Sequence, residues 1–421
     1  MSINDKNRVR AKAVIDRCRK LAGFSERPDS TVRTFLSPPM RDCHQEIAEW
    51  LEPLGVESRI DAAGNLRAFY PGADAGAPRL LIGSHLDTVP DAGAFDGALG
   101  VVLGVVLLES LEGERLPFGI EMVGFSEEEG VRFGTPFIGS RALVGRLDEE
   151  LLRRHDAHGI SVRGAIEDFG LKPAEIPKAR LKGDVLGYLE FHIEQGPVLE
   201  ELRLPLGAVE AVAGQSKLEF VLIGRSNHAG TTPMHLRQDS AAGAAEWILA
   251  VEREGKTVPG LVATVGTVEA KPGVANVIAG ETRLTLDVRH RADDVRKRAV
   301  DVLIRAAEEI ASRRGLTVTH QTMLSQPSVP MNPVLLEQIE EAIRRAGCKP
   351  HRMVSGAGHD AMILAEKVPS AMIFLRTPGG ISHNPGETVF IEDVAKALET
   401  GLRLLELLAE SRAPQRRLKR A

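Results

Sequence analysis

The chain has 421 residues, 43% hydrophobic and 26% charged, with a formal net charge of −5. That length suits two domains rather than one small core. The dispersed Lys and Arg argue against a nucleic-acid partner, and no stretch approaches the roughly 18 apolar residues of a membrane helix.

Met1 to Arg10 is polar and lacks the apolar core of a signal peptide. Val9 to Leu21 reads as an opening helix, with Val14, Cys18 and Leu21 at helical spacing. Arg79 to Ser84 is a short buried-strand signal, Leu99 to Leu111 a strongly apolar helix, and Gly119 to Phe125 a second strand. Strand, helix, strand in that order predicts an α/β fold: a mostly parallel sheet with helices on both faces. Ligands of such sheets bind beyond the carboxyl ends of the strands, where His85 and Glu127 to Glu129 arrive together.

From Gln215 to about Gln326 the texture changes. Lys217 to Ile223 alternates as a half-exposed strand, and Asp239 to Glu254 is helical with Asp239 or Ser240 as N-cap. Leu261 to Val268 and Glu281 to Arg289 are further strands, Asp294 to Arg313 is an amphipathic helix, and Leu316 to Met323 is a last strand. The order βαββαβ is ferredoxin-like. It predicts an inserted domain, residues 214–326, between the two parts of a discontinuous catalytic domain, residues 1–213 and 327–421. A strand at Ala371 to Leu375 and a helix at Ile391 to Leu408 follow, and Arg412, Arg416, Arg417, Lys419 and Arg420 read as a solvated tail. Cys18, Cys43 and Cys348 are few and far apart, so neither disulfides nor thiolate metal ligands are expected, and a cytoplasmic setting is.

Five segments carry chemistry together: Gly83 to Pro90, Phe95 to Gly97, Ser126 to Gly130, Phe191 to Gly196 and Ile381 to Pro385. Each places an imidazole or carboxylate at a strand end or in a loop, the donors that Zn²⁺ or Mn²⁺ takes when no thiolate is offered. One His after a strand is usually structural, and three adjacent glutamates are usually a solvated face. Here the triplet follows a buried apolar strand, where like charges are costly without a cation. His44, His155, His158, His235, His290, His320 and His351 fit no ligand pattern.

With its His85-Leu-Asp-Thr-Val-Pro90, Asp96-Gly97, Glu128-Glu129 and late His383, the chain resembles the M20 metallopeptidase and amidohydrolase family. Phe191-His-Ile-Glu-Gln-Gly-Pro197, Asn227-His-Ala-Gly-Thr-Thr-Pro-Met234, Asp287-Val-Arg289 and Ser355-Gly-Ala-Gly-His-Asp360 are similar to its ureido-hydrolysing branch. That branch holds allantoate amidohydrolases, N-carbamoyl-L-amino acid hydrolases and some β-ureidopropionases.

The resemblance implies two divalent cations, Zn²⁺ or Mn²⁺ with Co²⁺ also suited. His85 and His192 hold one, Glu129 and His383 the other, and Asp96 bridges them. Asp87 would accept the remaining N–H of His85 and fix its tautomer. Glu128 would be the general base, with Glu127 left open as the alternative register. It would deprotonate a water whose pKa the cations lower toward about 7, and return the proton to the departing nitrogen. His228 would donate to the oxyanion from a loop that in relatives belongs to the partner subunit, which implies a homodimer. Arg289 would anchor a substrate carboxylate, with Asn276, Gln215 and Gln195 as amide contacts and Gly356 and Gly358 as floor. For His359 an orienting hydrogen bond and direct substrate contact both stay open.

The expected substrate is a small ureido compound bearing a carboxylate. The Gly379-Gly-Ile-Ser-His-Asn-Pro385 ending and the Ala92-Gly-Ala-Phe-Asp-Gly97 loop resemble allantoate amidohydrolases, with N-carbamoyl-L-amino acids the alternative. An M20 dipeptidase or deacylase is disfavoured by His192, since that branch more often has a carboxylate there. A non-catalytic binding protein is disfavoured by Glu128 beside a full ligand set.

Overall fold

The apolar runs become the centre of a mixed sheet. A computed structural model describes residues 3–412, so Arg416, Arg417, Lys419 and Arg420 of the basic tail lie outside the described residues. The chain divides into two compact units: residues 3–210, 331–353 and 359–412 form the first, and Ala211–Pro330 with Val354–Gly358 the second.

In the first unit, Gly119–Phe125, Arg79–His85, Val185–Ile193 and Ser370–Leu375 lie side by side and parallel. Leu66–Tyr70 and Ser58–Ile60 extend one edge antiparallel, and Leu206–Val212 pairs antiparallel with Ser370–Leu375 on the other. Helix Ala98–Ser110 is buried from Ala98 to Leu108. A helix apolar all round must be enclosed, and it lies between the sheet and helices Ile3–Ala22 and Ile391–Glu410. The alternation of Val185–Ile193 sends Leu189, Phe191 and Ile193 into that apolar layer. It sends Tyr188, Glu190 and His192 to the opposite face, where helix Asp360–Leu364 packs. The expected α/β class, with helices on both faces, is therefore what the chain adopts.

The elements differ from the sequence reading mainly at their ends. The opening helix begins at Ile3 rather than Val9, because apolar periodicity marks only its packed part while Asp5 favours the first turn. His85 is the last residue of its strand rather than the residue after it. The cysteines are free, with Cys18 and Cys43 buried.

The second unit is a four-stranded antiparallel sheet in the order Thr317–Gln326, Gly214–Ile223, Glu281–His290, Val262–Lys271. Helices Ser240–Thr257 and Asp293–Arg314 cover one face. Asp239 caps the first by accepting from Ala241 and Ala242 N–H. Trp247, fully buried, donates to the Leu303 carbonyl at 2.9 Å and joins the two helices. Gly356 and Gly358, expected with the flanking part of the chain, fall in this unit. The Arg289 Nη1–H and the Ala213 N–H tie their segment to it through the carbonyls of Gly356 and Ser355.

His44 is buried, edge-on to Phe169. Burial first, then Arg33 and Arg41, lowers its imidazole to about 3. The unfolded chain therefore binds a proton at this position that the folded chain refuses. Stability is complete above about pH 6.5 and falls as pH drops toward 3, by about 1.4 kcal/mol per pH unit from this group. His44→Phe should flatten the urea midpoint between about pH 4 and 6.5; an unchanged slope would exclude His44 as the source.

Candidate metal centre

The ligand-bearing segments meet at the carboxyl ends of the parallel strands. The His85 and His192 Nε2 atoms are 3.4 Å apart. Their Nδ1 atoms lie 2.9 Å from the carbonyl oxygens of Asp87 and Ile193 respectively. A carbonyl only accepts, so each Nδ1 carries a hydrogen and, in the neutral rings, both Nε2 lone pairs face one space. Neither ring can then satisfy the other, and a cation can satisfy both.

Asp96 divides its carboxylate between two groups. Its Oδ1 is 3.2 Å from His192 Nε2 and 3.8 Å from His85 Nε2. Its Oδ2 is 3.1 Å from His383 Nε2, which is 3.4 Å from Glu129 Oε1. Two three-residue sets with metal-ligand donors result, His85–Asp96–His192 and Asp96–Glu129–His383. Gly97, at φ +65°, permits the approach, since a Cβ there would lie 2.4 Å from the His85 ring. His383 itself stands at φ 53°, a backbone conformation that a non-glycine residue holds only under constraint.

Electrostatics explain why positive charge belongs here. Burial alone would lower His85, but Glu128, Asp87 and Asp96 push it well above its ordinary range. His383 rises to about 10, chiefly through hydrogen bonds to Asp96 and Glu129. Burial holds His192 and His359 low, the latter with the help of His192. Glu128 is pushed well above the usual carboxylate range by burial and then by Glu129, Asp360 and Asp87, against the pull of His85. Protons on His85 and His383 thus offset part of the carboxylate charge, and the same donor types are those that a metal ion could take.

Among the triplet, Glu128 and Glu129 lie together with His85, while Glu127 joins no metal-ligand group among the described residues. Asp87 lies beside His85, as expected, and does more. Its carboxylate accepts from the backbone N–H groups of Glu128 at 2.9 Å and Glu129 at 3.0 Å, and is 3.5 Å from His85 Nδ1. The Nδ1–H of His85 faces the Asp87 carbonyl at 2.9 Å with the carboxylate at 3.5 Å, so both oxygens of this residue favour the same tautomer. Gln195, expected to touch substrate, turns back at φ 58° so that its Nε2 donates to both Asp96 oxygens at 3.2 and 3.1 Å. His359 is buried against His192, with ring centroids 4.5 Å apart, and its Nδ1 is 3.8 Å from Glu128 Oε1.

Gln215, His228, Asn276, Arg289, Gly356 and Gly358 belong to the second unit. Asp287 there accepts Arg289 Nε–H at 2.9 Å and Nη2–H at 2.8 Å, and the Gln215 amide at 2.6 Å. With a further Nη1–H on the Gly356 carbonyl, one N–H on each of Nη1 and Nη2 is left over. His228 Nδ1 accepts from the Gly230 N–H at 3.1 Å, which leaves the neutral ring's hydrogen on an exposed Nε2. The Asn276 carbonyl accepts from Ala229 N–H, joining its turn to the His228 loop. Sequence reasoning did not identify Glu190, Asp360, Ser382 or Glu387 around the metal donors. Glu190 was legible from alternation, two residues before His192; Asp360 opens a five-residue helix, and Ser382 and Glu387 sit in a loop, none of which leaves a periodic signal.

A model of peptidase family M20/M25/M40 matches residues 81–407. The chain belongs to that family. It is 37% identical over 395 residues to the N-carbamoyl-L-amino acid amidohydrolase of Geobacillus stearothermophilus, covering 93% of this chain and 97% of that one. It is 36% identical over 428 residues to the allantoate deiminase of Arabidopsis thaliana, covering 94% and 81%. Among solved structures, an amidase of the hydantoinase/carbamoylase family from Burkholderia multivorans superposes with a TM-score of 0.89 at 31% identity, covering 94% and 97%. This M20 chain is therefore a hydrolase acting on amide bonds, of a metal-dependent family. Among its described residues no helix is long and apolar enough to cross a membrane.

Because His383 is protonated at neutral pH without metal, ligation must displace that proton. Adding Zn²⁺ or Mn²⁺ to metal-free protein near pH 8 in weak buffer should release about one proton or more per chain. Proton uptake, or none released on binding, would contradict His383 as a ligand.

Proposed function

We propose that this M20 chain hydrolyses the carbamoyl C–N bond of a small ureido acid, with allantoate ahead of N-carbamoyl-L-amino acids. The observation that carries the reading is the division of the Asp96 oxygens between His85–His192 and His383–Glu129, with Glu128 alongside. Two divalent cations bound there would supply Lewis-acid polarisation of the ureido carbonyl and a water acidified toward a pKa of about 7.

The chain's own residues account for the proton traffic and orientation. Glu128, destabilised as an anion by burial, takes the proton of the attacking water and passes it to the departing nitrogen. Asp87 grips the two backbone amides of the Glu128–Glu129 turn, so base and ligand keep fixed relative positions. We assign His228 as oxyanion donor, because its Nδ1 is already used as an acceptor and its Nε2 is exposed. Arg289, oriented by Asp287, offers its outer fork to the substrate carboxylate. We also propose a homodimer, with zinc or manganese as the metal.

Allantoate and N-carbamoyl amino acids share the carbamoyl group and a nearby carboxylate, so the same residues serve both. The allantoate preference rests on the Ala92–Gly97 and Gly379–Pro385 loops; the Geobacillus relative favours the second reading. Ammonia release from allantoate and from N-carbamoyl-L-amino acids, measured side by side, decides the order. Turnover of carbamoyl amino acids without turnover of allantoate would reverse it.

Glu128→Gln should retain its metal and fold while kcat drops roughly 100- to 10,000-fold. Undiminished turnover would remove Glu128 as the base. Arg289→Lys should raise KM roughly 10- to 100-fold, since an ammonium cannot present the paired N–H groups. A change confined to kcat would speak against carboxylate anchoring.

A further inference from the structure

We infer that Glu387 is a positioning residue that fastens the Asp96 loop to the His383 loop and so holds the ligands of the second cation in register. The inference rests on the two-cation reading above. Glu387 lies four residues beyond His383 and is buried, with 5% of its surface exposed. Its Oε1 accepts the backbone N–H of Phe95 at 2.8 Å and of Asp96 at 3.0 Å. Its Oε2 lies 3.4 Å from the Ser382 hydroxyl, which is 3.5 Å from Asp96 Oδ2. Its own N–H donates to the Asn384 carbonyl at 3.0 Å and closes the turn that follows His383.

One side chain thus grips two of the three segments that supply the second set, those of Asp96 and His383; Glu129 is held through Asp87. His85 and His192 need no such device, because each is carried by a strand of the central sheet. Loop residues have no ladder to hold them, so their placement must come from side chains. Burying a carboxylate near Asp96 is costly, and an apolar residue would fill the space more cheaply. The surroundings are shaped for it: a Cβ on Gly93 would come within 2.4 Å of the Glu387 Cβ and 2.5 Å of its Oε1.

The test is a Zn²⁺ titration of metal-free wild type, Glu387→Gln, Glu387→Ala and Gly93→Ala by calorimetry. Metal content is measured after desalting, and fold by circular dichroism. Wild type and Glu387→Gln should take up two cations, since the amide carbonyl oxygen still accepts both backbone N–H groups. Glu387→Ala and Gly93→Ala should keep the first cation near wild-type affinity and bind the second about 10- to 100-fold more weakly. Gly93→Ala leaves the carboxylate in the chain and displaces it, so it decides the matter should Glu387→Ala not fold. Two cations at wild-type affinity in the folded variants would overturn the role, and so would equal loss of both. A wild type that binds only one cation would instead bring down the two-cation reading itself.

Discussion

A single carboxylate, that of Asp96, organises the first unit's chemistry. One oxygen faces His85 and His192 and the other faces His383 and Glu129. Gathering these groups with Glu127 and Glu128 at the carboxyl ends of the strands crowds carboxylates where burial disfavours their ionised form, and pushes Glu127 and Glu128 well above the usual range. Positive charge among them is what favours their ionised forms. Protons on His85 and His383 supply part of it, and the two donor sets are able to hold metal ions that would supply more.

The surrounding structure serves that constraint by spending carboxylates on backbone amides. Asp87 takes the N–H groups of Glu128 and Glu129, and Glu387 takes those of Phe95 and Asp96. In each case a side chain from one segment fixes the main chain of another, so a loop inherits the rigidity of the sheet. Gln195 and His383, both at positive φ, are the two site residues whose backbones are held in unfavourable conformations. Both lie where ligands must turn back toward Asp96, as strain near function is expected to fall.

The second unit uses the same devices on an independent core. Trp247 and the leucines beneath it close the space between two helices and an antiparallel sheet. At one end of that sheet Asp287 grips Arg289 and Gln215, while the His228 loop is ordered by Gly230 and Asn276. Arg289, Gln215 and His228 thus each have their orientation set by a neighbour.

What the sequence determined by itself was whatever repeats or clusters along the chain. The apolar helix Ala98–Ser110, the strands ending at His85 and Phe125, and the βαββαβ order were legible because hydrophobic period follows secondary structure. The donors His85, Asp96, Glu129, His192 and His383 were legible as residue types in motifs at strand ends and in loops. Only the tertiary structure decided the hydrogen bonds of Asp87, the inward turn of Gln195 and the grip of Glu387 on a loop almost 300 residues away. These depend on backbone atoms, and every residue except proline carries the same N–H and C=O. Sequence pattern records which side chains are present; the partner of a backbone amide is chosen by how the chain closes on itself.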